Sequence, residues 1–136
     1  ARIWKAAASE KTIVFDAPSK VAAFYMEEMR HLEQENLKLL LLNTKNILLR
    51  DITVSRGTVN ASCATPRDIE ALRFRACGII LLHNHPSGDP APSREDCLFT
   101  ERVREAGSLM GVPLLDHIII GDNSYVSLRE RGIFET

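Results

Sequence analysis

Two of the four histidines in this 136-residue chain, His83 and His85, flank a single asparagine in the stretch LLHNHPSGDPAPSREDC. An aspartate, Asp96, follows after two proline-rich corners. Side chains on an extended strand alternate between faces, so residues i and i+2 point the same way. A strand running straight from Ile79 into His85 therefore carries both imidazoles on one face and turns Asn84 to the other. Imidazole nitrogens about 2.0–2.1 Å from a zinc ion can fill two corners of a tetrahedron, and a carboxylate oxygen can fill a third. Asp96, at the start of the next helix, is placed to supply it. Two histidines and one aspartate leave a fourth position for water, the pattern of a catalytic centre rather than a closed structural one.

A plainer reading stands beside this one. Ser93-Arg94-Glu95-Asp96 has the spacing of a helix capping box with Asp in place of Glu, and single histidines are commonly surface or satisfied core residues. Packing accounts less well for two imidazoles at i and i+2 followed by a stiff Gly- and Pro-rich loop and an acid. His117, inside LLDHIIIG, is open to three readings: a packed core histidine, a partner behind the ligands, or a further ligand. Asp116 is positioned to orient it. His31, at a predicted helix end, suits the negative pole of the helix dipole.

The elements that must position these residues follow from periodicity and turn signals. Pro18 and Ser19 open a helix in which Val21, Phe24, Tyr25, Met29 and Leu32 recur at helical spacing. NLKLLLLNTKNILLRDITV reads as two strands meeting at the Asn43–Asn46 turn. Thr65, Pro66 and Asp68 mark a helix start, and CGIILLHNH reads as a short buried strand. PSREDCLFTERVREAGSLMG is the clearest helix, with Phe99, Val103, Ala106 and Met110 on one stripe and Gly111 as its stop. Two strands around Gly121-Asp122-Asn123 close the chain. The predicted order is αββαβαββ: a single α/β or α+β domain over residues 1–136, with one mixed sheet flanked by helices.

Seventeen Lys and Arg balance eighteen Asp and Glu, for a net charge of −1. A domain built to grip a phosphate backbone needs a cation for each contact and is far more basic. The local clusters at Arg73–Arg75 and Glu101–Glu105 read as solvated helix faces. No apolar run approaches the roughly 20 residues of a membrane-spanning helix. Cys63, Cys77 and Cys97 have no C-x-x-C spacing and suit no disulfide framework. Cys77 and Cys97 read as small buried hydrophobes, and a reducing cytoplasmic setting is expected. The opening ARIWKAAASEK reads as the edge of an excised C-terminal fragment of a longer protein.

HNHPSGDPAPSRED resembles the JAMM metalloprotease signature: His-x-His, ten residues, Asp, with a Ser three before the Asp. LLLLNTKN, RGTVN, HNHPSGDPAPSREDCLFTERV and LLDHIIIGDNSYVSLRERG look more closely like the bacterial RadC family (the UPF0758 group), a branch of the JAMM/MPN superfamily. The resemblance runs from about Asp16 to Gly132. It implies an MPN/JAB-type, cytidine-deaminase-like domain in which His83, His85 and Asp96 match the zinc ligands. It further implies that Ser93 supports the tetrahedral intermediate and that an upstream Glu serves as proton carrier. HLEQENLKLL offers Glu33 and Glu35; Glu35, immediately before the strand, is the better match. The segment from Pro66 to His83 is a residue or two shorter than is usual in the family. The helix-hairpin-helix region of larger members lies outside this sequence.

The expected activity is that of a zinc-dependent hydrolase acting on a peptide or isopeptide bond. The alternatives are a DNA-repair-associated or nuclease protein, which the charge does not favour, and a non-catalytic MPN-like interaction module. A zinc deaminase needs His-x-Glu and Pro-Cys-x-x-Cys; an asparagine rather than a glutamate separates His83 from His85, and no such cysteine pair exists.

Overall fold

The computed structural model of the chain describes residues 12–57 and 76–134. The helix expected from Thr65, the Arg73–Arg75 cluster and Cys63 lie outside the described residues. Within them the chain forms α1 (Pro18–Met29), β1 (Asn36–Leu42), β2 (Leu48–Arg56), β3 (Gly78–Asn84), α2 (Arg94–Met110), β4 (Leu114–Ile120) and β5 (Tyr125–Ser127). The strands make one mixed sheet of order β2-β1-β3-β4-β5. β1 is antiparallel to both neighbours, β3 and β4 are parallel, and β5 returns antiparallel to β4. This is the α+β arrangement expected from the sequence.

β3 is buried along its whole length, and β1 in all but its first residue. Leu37, Leu39, Leu41, Ile79, Leu81 and Ile119 form one core with Phe99 and Val103 of α2. The alternate residues Leu40, Leu42, Ile80, Leu82, Ile118 and Ile120 form a second core with Val21, Ala22, Tyr25 and Met29 of α1. The sheet is thus sandwiched between helices, which is why LLLL and IILL read as unbroken apolar runs rather than alternating ones. A polar network ties α1 to the sheet: the Tyr25 hydroxyl donates to Asp51 at 2.5 Å, and Lys38 reaches Asp51 at 3.0 Å. No helix among the described residues is long and apolar enough to cross a membrane.

Three expectations about packing need correction. α1 ends at Met29, so Leu32 lies beyond the helix although it still packs, partly buried, against the second core, and Phe24 is 51% exposed while Ala22 is buried. On α2, Phe99 and Val103 are buried, but Ala106 is only half-buried and Met110 is exposed; Asp96, Thr100 and Gly107 complete the buried stripe instead. At Gly107 the backbone of Val112 folds directly against the helix. Finally, Cys77 is exposed and Cys97 half-buried, so neither is a fully buried hydrophobe.

Gly111 ends α2 in the left-handed region at φ 77°. Its N–H donates to the Ser108 carbonyl at 3.2 Å and that of Val112 to the Gly107 carbonyl at 2.8 Å, satisfying the last carbonyls of the helix. A Cβ at Gly107 would lie 2.4 Å from the Val112 carbonyl oxygen, a backbone atom with little room to yield. Such overpacking typically costs about 1–3 kcal/mol, against a helix-propensity gain of about 1 kcal/mol for Gly→Ala. Gly107→Ala is therefore expected to lower stability, read as a reduced denaturant midpoint at unchanged slope; an unchanged or raised midpoint would refute this packing account.

Candidate metal centre

β3 stops at Asn84. His83, at its end, is completely buried and faces α2. His85 lies one residue beyond the strand but stays tied to the sheet through its N–H, which donates to the Ile120 carbonyl at 2.9 Å. The two rings converge, Nε2 to Nε2, at 3.1 Å. The loop that follows is pinned by one local bond and one distant one: the Gly88 N–H donates to the His85 carbonyl at 2.9 Å, and the Asp122 N–H, from the turn after β4, donates to the Gly88 carbonyl at 2.9 Å. It hands the chain to Ser93, whose Oγ accepts from the Asp96 N–H at 3.0 Å.

The Ser93 N–H donates in return to Asp96 Oδ2 at 2.8 Å. The capping box is therefore formed, and the same carboxylate faces the histidines. Oδ1 lies 3.2 Å from His83 Nε2 and Oδ2 lies 3.0 Å from His85 Nε2. Burial works against ionisation of Asp96, but the hydrogen bonds to His83 and His85 outweigh it and hold the carboxyl well below the usual carboxylate range. The bond to Asp96 in turn raises the pKa of His85, with burial opposing.

β1 is antiparallel to β3, so its start lies beside the end of β3, with Leu37 opposite His83. Asn84, on the other face, grips the chain leading into β1. Its Oδ1 accepts from the Asn36 N–H at 2.8 Å and its Nδ2 donates to the Gln34 carbonyl at 3.2 Å. The Glu35 carbonyl accepts from the Gly57 N–H at 2.6 Å. Glu35, held between these anchors, puts Oε1 at 3.7 Å from His83 Nε2 and 3.9 Å from His85 Nε2. Glu33 is exposed and outside this group.

Glu35, His83, His85 and Asp96 thus each bring one ligand atom to a cluster in which all lie within 4.8 Å of one another. Donor atoms bound at about 2.0–2.1 Å to one tetrahedral ion lie about 3.3 Å apart, close to the 3.0–3.2 Å among His83, His85 and Asp96. His85 Nδ1 lies 2.9 Å from the Asp89 carbonyl. A carbonyl only accepts, so Nδ1 donates to it and Nε2 is the nitrogen turned into the cluster. The donor set fits a small divalent cation. A cleft of about 400 Å³ lined by Gln34, Glu35, Gly57, His85, Pro86 and Ser87 opens onto it. A hollow of about 500 Å³ beside Phe15, Pro18 and Arg129 involves none of the four.

His117 lies behind the cluster. It is fully buried, with Nε2 2.6 Å from His83 Nδ1 and Nδ1 2.5 Å from Thr100 Oγ1. Burial, reinforced by the neighbouring His83, pushes its pKa well below the ordinary value. Asp116 does not orient this ring, contrary to expectation. Its carboxylate points to the opposite face of β4 and accepts from the His117 N–H at 2.7 Å, the Ser127 hydroxyl at 2.5 Å and the Arg129 N–H at 3.1 Å. His31 is exposed and 3.7 Å from Glu27, apart from the cluster. The grip of Asn84 and the presence of Thr100 were not anticipated. A polar residue four positions after Asp96, on the buried stripe, was the available signal for Thr100.

Comparison with known proteins places this geometry in a family. The model of the RadC-like JAB domain matches residues 15–133. The chain is 54% identical over 121 residues to a UPF0758 protein of Halalkalibacterium halodurans, covering 88% of this chain and 52% of that protein. A UPF0758 protein of Desulforamulus reducens is 47% identical over 127 residues, covering 92% of this chain and 56% of the relative. One from Clostridium botulinum (strain Langeland) is 51% identical over 121 residues, with 86% and 52% covered. The chain spans about half the length of the curated relatives it matches. With its mixed sheet and a histidine-carboxylate cluster at one end, the chain belongs to the RadC-like JAB-domain family.

Proposed function

We propose that this domain is a zinc-dependent hydrolase of the JAMM type that cleaves an amide or isopeptide bond. The observation that carries the reading is the convergence of His83, His85 and Asp96 into one triangle, with the carboxylate of Glu35 set back from it. His83, His85 and Asp96 would hold the ion, whose family-expected identity, zinc, agrees with a nitrogen-rich donor set. When bound, such an ion supplies Lewis acidity and a water acidified to near neutrality.

The remaining chemistry belongs to the protein. Glu35 stands 3.7–3.9 Å from the imidazole nitrogens, against 3.0–3.2 Å for Asp96, which sets its Oε1 at the edge of the triangle rather than among its corners. In this role Oε1 takes a proton from water as the oxygen bonds to the substrate carbonyl carbon. It then returns the proton to the nitrogen as the C–N bond breaks. Ser93 Oγ accepts from Asp96 N–H, which keeps its own O–H available as a donor toward the developing oxyanion. The open cleft beside Glu35, Gly57 and Ser87 gives an extended peptide a way in. His83 and Asp96, buried at 0% and 2% exposure, form a floor closed to bulk water.

Reconstituted protein is expected to hold about one zinc per chain by elemental analysis; the absence of bound zinc would refute the site. Glu35→Gln is expected to keep the metal but to slow hydrolysis of a peptide library about 10²–10⁴-fold. Undiminished activity in that variant would remove Glu35 from the role. Asn84 touches no reacting group, yet it fixes the segment that carries Glu35. Asn84→Ala is therefore expected to lower kcat at least about tenfold at unchanged zinc content, through misplacement of the carboxylate. Full kcat in this variant would show that the Gly57 anchor suffices.

A further inference from the structure

We propose that His117 and Thr100 form a directed hydrogen-bond relay that fixes the proton of His83 on Nδ1 and so presents its Nε2 to the metal. The inference deepens the metal-site reading above and rests on it. Its starting point is the hydroxyl of Thr100, which has a single hydrogen to place. Thr100 Oγ1 lies 2.7 Å from the backbone carbonyl of Asp96 and 2.5 Å from His117 Nδ1. A carbonyl oxygen can only accept, so the hydroxyl hydrogen points there, as is common for a helical Thr bonded one turn back. Toward His117, Thr100 must then accept, and the proton of His117 sits on Nδ1.

The rest follows in order. His117 is completely buried, and its ring nitrogens meet only a hydroxyl and another imidazole; with no anion to pair a second proton, Nε2 carries a lone pair. His83 Nδ1, 2.6 Å away, must be the donor. With Nδ1 donating to His117, Nε2 is the nitrogen left for the cation position, and it lies 3.2 Å from Asp96 Oδ1 and 3.1 Å from His85 Nε2. All four members, His83, His117, Thr100 and Asp96, are at most 2% exposed, so water does not reorder them. Reversing the relay would set two oxygen lone pairs against each other at 2.7 Å between Thr100 and Asp96. It would also put a proton on His83 Nε2, where the cation belongs. His85 is fixed in the same sense by the Asp89 carbonyl. Each ligating ring thus has its own tautomer lock, and that of His83 runs through two side chains. His117 and Thr100 are positioning residues; neither touches the metal position.

The discriminating variant is Thr100→Val, which keeps the volume of the side chain and removes the hydroxyl that sets the direction. His117 Nδ1–H then has no acceptor, and the ring is driven to the opposite tautomer. Zinc affinity of the full chain, measured by chelator competition, is expected to fall about 10- to 100-fold, the range typical for partners that orient a metal-ligating histidine. Thr100→Ser is expected to restore affinity to within a few-fold. Long-range ¹H–¹⁵N correlation spectra of the metal-free protein supply an independent reading: His83 protonated at Nδ1 in the wild type, and at Nε2 in Thr100→Val. Wild-type zinc affinity in Thr100→Val, or a wild-type His83 protonated at Nε2, would overturn the relay. A wild type that takes up no zinc yet shows the Nδ1–H ring would overturn the metal reading while supporting the proton order. Should Thr100→Val not fold, the wild-type spectrum alone decides.

Discussion

One carboxylate, that of Asp96, holds both the start of α2 and the mouth of β3. Its Oδ2 accepts the Ser93 N–H and lies against His85, while Oδ1 lies against His83. The cap therefore selects the rotamer that the cluster needs, and the helix terminus, with its partial positive charge, favours the anion. Capping and metal binding looked like rival explanations of Ser93 and Asp96, but they are one geometry seen from two sides. A carboxylate already held by a backbone N–H within a closed capping box loses little freedom on meeting a cation, and this is what preorganisation of a ligand means physically.

Topology explains why distant segments meet here. Parallel strands β3 and β4 need a crossover, and α2 supplies it. A crossover helix begins where its first strand ends, so the N-terminus of α2 falls beside His83 and His85. β1, running antiparallel to β3, begins at the same end of the sheet and delivers Glu35 there. The three contributions thus converge at one sheet end without any long excursion of the chain.

The sequence made the element order legible wherever it is described, because turns and caps left strong local marks: Asn43–Asn46, Pro18, Ser93, Gly111. His83, His85 and Asp96 stood out through alternation and loop composition, and Glu35 through family resemblance alone, since nothing local separates it from Glu33. What could not be read was cross-strand register. The irregularity between Ile79 and Ile80 opposite β4 decides that His117, rather than Asp116, shares a face with His83. No periodicity in LLDHIIIG encodes that shift. Thr100 was hidden for a related reason: which flank of a helix is buried depends on how it lies on the sheet, and Gly107 brings the turn after α2 closer than an apolar stripe alone would foresee.

Gly121 lies so near the ligand-bearing loop that a Cβ there would come within 2.4 Å of the Gly88 oxygen and 2.8 Å of Pro90 Cδ. The loop after His85 and the turn after β4 are therefore fitted surfaces, seated on each other with no side chain between them. A methyl group at this seam would act as a wedge, and its displacement would travel along a stiff proline-containing arch to the Asp89 carbonyl that holds the His85 ring. The mechanical tolerance of the chemistry is thus set partly by a turn that contributes no ligand atom.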